Sequence, residues 1–153
     1  EFIYQEPFPL SEDTTEYRLL TKEHVSVVEC DGRRILKVAP EGLELLSREA
    51  FADVSFYLRA SHLQKLADIL DDPEATDNDK FVAYTMLLNQ TVSAQGELPT
   101  CQDTGTAIVI GKKGEDVYTG CNDAEMLSRG VYETYRDRNM RFSQVVPFTM
   151  TEE

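Results

Sequence analysis

The sequence predicts an α+β domain, mainly helical, with two β-hairpins. Three observations carry that expectation. Two β-rich runs flank Asp31-Gly32, apolar residues recur at spacings of three and four from Pro40 to Val92, and the period shortens again after Pro99. At 153 residues, with 41% apolar and 28% charged side chains, the chain has the size and composition of one folded domain, so residues 1–153 are read as a single unit.

The elements follow in order. Residues 1–23 read as an extended lead-in, because Pro7 and Pro9 bar an early helix. Val25–Cys30 and Arg33–Val38 form the first hairpin, since a tight I′ turn needs two residues that tolerate positive φ and Asp-Gly supplies them. Pro40 suits a first helical turn, and Leu43, Leu46, Ala50, Val54 and Tyr57/Leu58 give that helix one apolar stripe. Ser61 with Gln64 resembles a capping box for a second helix carrying Leu63, Leu66, Ala67 and Leu70, stopped at Asp72-Pro73. A third helix starts near Asp77 with Phe81, Tyr84, Leu88 and Val92 inward, and Gly96 follows its end. Thr106–Ile110 is a short buried-type strand, 111–114 its turn and 116–119 the return strand of the second hairpin. Asn122 or Asp123 caps a fourth helix with Met126/Leu127, Val131 and Tyr135 inward, and the chain is extended again from Asn139 to Phe148.

Charge and cysteine content exclude several classes of function. The net charge of −13 argues against a nucleic-acid partner and an anionic membrane surface, although a few local arginines still allow a small anionic substrate. Cys30, Cys101 and Cys121 form no CxxC pair and suit a reducing compartment. No run reaches the ~18–20 apolar residues of a membrane span, and no signal peptide opens the chain, so a cytoplasmic location is expected. Residue 1 is Glu rather than Met.

The chemistry concentrates in Leu98-Pro-Thr-Cys-Gln-Asp-Thr-Gly-Thr106, a thiol, a carboxamide, a carboxylate and hydroxyls on one loop between a helix and a strand. A thiolate is a soft ligand for zinc or an iron–sulfur cluster, and Gly105 permits positive φ or the close approach of a ligand. Other features read as structural. His24 and His62 are surface groups, Arg33-Arg34 and Lys112-Lys113 solvated pairs, and Tyr132/Tyr135 a packing pair. The acidic residues from Asp68 to Asp79 lack the order of a calcium loop and serve capping and solvation.

The Leu98–Ile108 run resembles the signature of class I fumarases, the iron–sulfur-dependent fumarate hydratases. The resemblance extends through Tyr4–Leu10, Leu20–Val27, Ile35–Glu41, Asp72–Ala75 with Asn78–Lys80, and Arg141–Gln144. It implies that Cys101 is one of three thiolate ligands of a [4Fe–4S] cluster. The fourth iron then keeps an open position for substrate oxygens. Gln102 and Asp103 help bind the dicarboxylate and Arg141 pairs with a carboxylate, in a reversible hydration of fumarate to (S)-malate. Asp103 sits comfortably beside a dianion only when protonated or bonded to the hydroxyl side of malate. Cys30 and Cys121 match no ligand position, and the other two ligands, the general base and further substrate contacts lie beyond this stretch. The resemblance therefore implies an N-terminal part of the enzyme, silent alone and homodimeric when full length. Two other readings stand beside it. L-tartrate dehydratase α-subunits share the Cys-Gln-Asp-Thr-Gly loop, and a truncated non-catalytic relative would act as an interaction module, docking through an apolar surface.

Overall fold

The computed structural model describes residues 2–6, 9, 16–101 and 105–143. Gln102, Asp103 and the expected extended stretch Val145–Phe148 lie outside the described residues. Among the described residues four helices and a three-stranded sheet form the α+β architecture, in the order β1 (Val25–Cys30), β2 (Arg33–Val38), α1 (Pro40–Phe56), α2 (Ala60–Asp71), α3 (Asp77–Ser93), β3 (Val117–Tyr118) and α4 (Asp123–Asp137).

The first hairpin forms as its turn chemistry requires. Asp31 and Gly32 both take positive φ, 50° and 76°, and the register runs from Val25 opposite Val38 to Cys30 opposite Arg33. The second hairpin is a correction. Among the described residues no strand forms at Thr106–Ile110, and Val117–Tyr118 instead runs parallel to β2, with Val117 opposite Leu36 and Tyr118 opposite Lys37. The second edge of β2 competes for the return segment and wins. The Leu36 N–H donates to the Asp116 carbonyl at 2.8 Å, and Arg33 pairs with the Asp116 carboxylate at 2.6 Å. Arg33 is solvent-exposed, as expected of a solvated pair, and its ion pair also links β2 to the segment before β3. Lys112 and Lys113 are likewise paired, with Glu6 and Asp123.

All four helices begin and end near the expected residues, with different caps in two of them. The Ser61/Gln64 box does not form. α2 starts at Ala60 after Arg59, Ser61 lies inside the helix, and the Gln64 amide donates to Asp68 at 2.7 Å. A capping box occurs instead at α3, where the Thr76 hydroxyl accepts the Asp79 N–H and the Asp79 carboxylate accepts the Thr76 N–H. The Thr76 hydroxyl also donates to the Asp79 carboxylate at 2.7 Å, and that bond first, with the one from the Thr76 N–H, holds the Asp79 carboxyl below its ordinary range. Asn122 caps α4 as expected, and Gly96, at φ 81°, follows α3. Among the described residues no helix is long and apolar enough to cross a membrane.

The larger correction concerns which helix faces are buried. α1 meets α4 through small and polar residues, Ser47 against Gly130 and Thr134, with the Thr134 hydroxyl donating toward the Arg48 carbonyl at 2.9 Å. Arg48 ion-pairs with Glu133 and Asp137 along the rim. The expected α1 stripe points elsewhere: Leu46, Val54 and Tyr57 are exposed, Val54 at 68%. In α3 the buried residues are Ala83, Gln90 and Ser93, while Phe81, Tyr84, Leu88 and Val92 are exposed. Both stripes are real sequence features, but among the described residues the α3 stripe is exposed and the α1 stripe is covered only in part, at Leu43 and Leu58. In α2 and α4 the expected faces do turn inward, with Leu66 and Tyr135 buried. The core gathers Phe56, Tyr135 and Met140, flanked by Phe51 and Val131.

Candidate functional site

The loop that begins after α3 is fixed to the protein one residue before its thiol. Pro99 is buried, and Thr100 is held on every polar atom. Its N–H donates to the Ser55 carbonyl at 2.8 Å, and its carbonyl accepts from the Asn89 amide at 2.8 Å. Its hydroxyl donates to Gln90 Oε1 at 3.2 Å and lies 2.9 Å from Ser93 Oγ. Gln90 and Ser93 in turn reach the Phe56 carbonyl at 2.8 and 2.9 Å. The Ser93 proton serves either Phe56 or Thr100 at a given moment, since a hydroxyl carries one donor.

This network answers a specific need. α1 ends at Phe56 and α3 at Ser93, and carbonyls at helix ends lack intrahelical partners. Side chains one turn apart on α3, Gln90 and Ser93, satisfy Phe56 and fasten the following loop with the same atoms. Below it the Phe56 ring packs against Tyr135 and Met140, and the Arg138 guanidinium lies 5.8 Å from the ring centroid. Phe56 therefore joins α1, α3 and the end of α4 beneath the loop.

Cys101 follows Thr100 and is exposed. The described chain resumes at Gly105, which takes φ 63° as expected for this glycine and donates its N–H to Ser143 Oγ at 2.7 Å. That bond ties the far end of the loop to the segment after α4. Arg141 stands two residues before Ser143 and is exposed, and between them Phe142 stacks on Tyr135 at 5.9 Å. The turn out of α4 is set by Asn139 at φ 51° and by the Met140 N–H bonded to the Tyr135 carbonyl at 2.9 Å. Two of the four expected site residues, Cys101 and Arg141, thus sit on segments anchored to opposite ends of one loop. Gln102 and Asp103 occupy the undescribed part of that loop.

The sequence reading missed Thr100, Asn89, Gln90, Ser93 and Ser143. The available signal was the polar run Asn89, Gln90 and Ser93 on a helix whose other faces are apolar. Replacing Thr100 with valine should cost about 1–2 kcal/mol, since it leaves Gln90 Oε1 without its donor while keeping the side-chain shape. A lowered urea midpoint together with faster alkylation of Cys101 is the expected result. Unchanged alkylation would show that the latch does not control the thiol.

The other thiols are differently placed. Cys30 is exposed at the end of β1, and Cys121 donates weakly to Asp123 at 3.9 Å. Asp123 also accepts from Lys113 and Thr119, and these contacts, Lys113 first, hold its carboxyl below the usual carboxylate range. Among the described residues no three His, Cys, Asp or Glu side chains gather to bind a metal. The described residues therefore do not fit a four-iron cluster by themselves, since such clusters are held by several cysteine thiolates and Cys101, Cys30 and Cys121 are not gathered.

Comparison with known proteins adds the family. Residues 44–153 match the family model described as fumarate hydratase (Fumerase). The chain is 60% identical over 152 residues to the aerobic class I fumarate hydratase of Escherichia coli (strain K12), covering 99% of this chain and 28% of that protein. It is 56% identical over 152 residues to the anaerobic class I enzyme of the same strain, again covering 99% of this chain and 28% of that protein. It is 52% identical over 146 residues to the mitochondrial fumarate hydratase 1 of Leishmania major, covering 94% of this chain and 27% of that protein. The 153 residues thus span little more than a quarter of the length of these relatives. The chain belongs to the fumarate hydratase (Fumerase) family.

Proposed function

We propose that these residues are the N-terminal part of a [4Fe–4S]-dependent hydro-lyase that interconverts fumarate and (S)-malate. The observation that carries the reading is one loop with an exposed thiol, Cys101, latched at one end through Thr100 and at the other to the Arg141–Ser143 segment. In this reading Cys101 gives the cluster one thiolate, and the other ligands come from outside the 153 residues. Gln102 and Asp103 bind the dicarboxylate, Asp103 meeting the hydroxyl side of malate. Arg141 pairs with a substrate carboxylate, for which its planar two-pronged guanidinium is suited. The general base also lies outside these residues, and the full-length enzyme works as a cytoplasmic homodimer.

Anaerobic reconstitution with iron and sulfide, followed by iron counting and a fumarate hydration assay, tests this. The 153-residue chain is expected to keep no cluster and to show no turnover. The full-length protein containing it should hold about four irons per chain and hydrate fumarate. Substantial turnover by the 153 residues alone would overturn the division of the site, and an iron-free, active full-length protein would overturn the cluster.

A further inference from the structure

The stretch Ala107–Ile110 has β-type residues, yet it joins neither β2 nor β3. Among the described residues its backbone N–H and C=O groups have no hydrogen-bond partner. Unpaired main-chain groups on a strand form a template for another strand. Both faces of the stretch are apolar and both are incompletely covered. Ala107 and Val109 look across an open groove of about 400 Å³ toward Ala124, Leu127 and Val131 of α4. Ile108 and Ile110 are 71% and 72% exposed.

We propose that Ala107–Ile110 pairs, strand to strand, with a segment of the same polypeptide outside these 153 residues. The backbone decides the kind of partner: only another extended main chain satisfies a row of alternating N–H and C=O groups, whereas a helix has spent its own. The side chains decide its composition. Alternate residues of an added strand fall on one face, so one set enters the groove over α4 and the other lies beside Ile108 and Ile110. Both surroundings are apolar, and the added strand is a continuous apolar run, as in strands covered on both faces. The source follows from length. The matched stretch is 28% of the first relative named above, which leaves 72% of that chain to supply the partner. This inference does not depend on the reaction proposed above.

Hydrogen–deuterium exchange on peptides spanning 106–111 tests it, in the full-length protein and in the 153-residue chain, each at two concentrations. Expected is exchange slowed at least about 100-fold in the full-length protein, as for paired core strands, and near-unprotected exchange in the 153-residue chain. Fast exchange in the full-length protein overturns the proposal. So does protection in the dilute 153-residue chain, which would mean a partner within these residues. Photo-crosslinking from a benzophenone side chain at position 108 of the full-length protein identifies the source. The expected crosslink stays within one chain, and a band of doubled mass on a denaturing gel would assign the edge to a second copy and overturn the occupant.

Discussion

Replacing Cys101 with serine in the full-length protein is expected to strip its iron and to lower fumarate hydration by more than 100-fold. The magnitude follows from the place of the residue. Removing a group that merely orients a metal ligand typically costs about 10–100-fold, and loss of a ligand itself should exceed that. Serine keeps the size of cysteine but offers a hard oxygen that stays protonated near neutral pH, a poor exchange for a soft thiolate. The substitution should leave the fold intact, because Cys101 is exposed and the hydrogen bonds that hold the loop belong to Thr100. Cys30→Ser and Cys121→Ser are the matched controls. Cys30 ends β1, and the Cys121 thiol donates to Asp123, a contact a hydroxyl can also make. Both variants should retain iron and activity within about twofold. Loss of iron from either control, or its retention by Cys101→Ser, would reassign the ligand.

What the sequence showed and what it hid divide along a physical line. Features set by a few adjacent residues were legible. Asp31-Gly32 demands a hairpin turn, Pro40 starts a helix, Gly96 and Gly105 take positive φ, and Asn122 caps α4. The Cys101 loop stood out because its composition is unusual and its wording resembles a family signature. Features set by competition between distant segments were not. Whether Val117–Tyr118 pairs with Ile108 or with Leu36 depends on a free edge 80 residues away, and both choices satisfy the local pattern equally. Periodicity located the apolar stripes of α1 and α3 but could not say what covers them. Burial on the described residues goes instead to Ser47, Ala83, Gln90 and Ser93. Among the site residues, Thr100 escaped notice because a threonine beside a cysteine carries no signal until Asn89, Gln90 and Ser93 are seen around it.

The small-residue contact between α1 and α4 leads to the largest expected effect on stability, at Gly130→Ala. A methyl group built on Gly130 would lie 2.1 Å from Ser47 Oγ, 2.2 Å from the Glu44 carbonyl oxygen and 2.9 Å from the Arg48 nitrogen. Two effects oppose each other. Alanine is the better helix former by about 1 kcal/mol, which would stabilise α4. Against that, the two nearest backbone atoms belong to α1 and cannot rotate away, so the helices must separate. Overpacking typically costs about 1–3 kcal/mol and occasionally more, and contacts this short place the site at the upper end. Separation would also stretch the Thr134–Arg48 hydrogen bond and the packing of Val131. The clash wins, and net destabilisation of about 2–3 kcal/mol is expected, a fall in Tm of about 5–10 °C for a chain of this size. Removing only the Ser47 hydroxyl should not rescue it, because the Glu44 carbonyl stays in place. Gly111→Ala provides the comparison, since nothing lies within 4 Å of a methyl group there, and its melting curve should match that of the parent chain. Equal melting of Gly130→Ala and Gly111→Ala would mean that α1 and α4 do not pack this closely in solution, and that the burial of Ser47 and Thr134 has another origin.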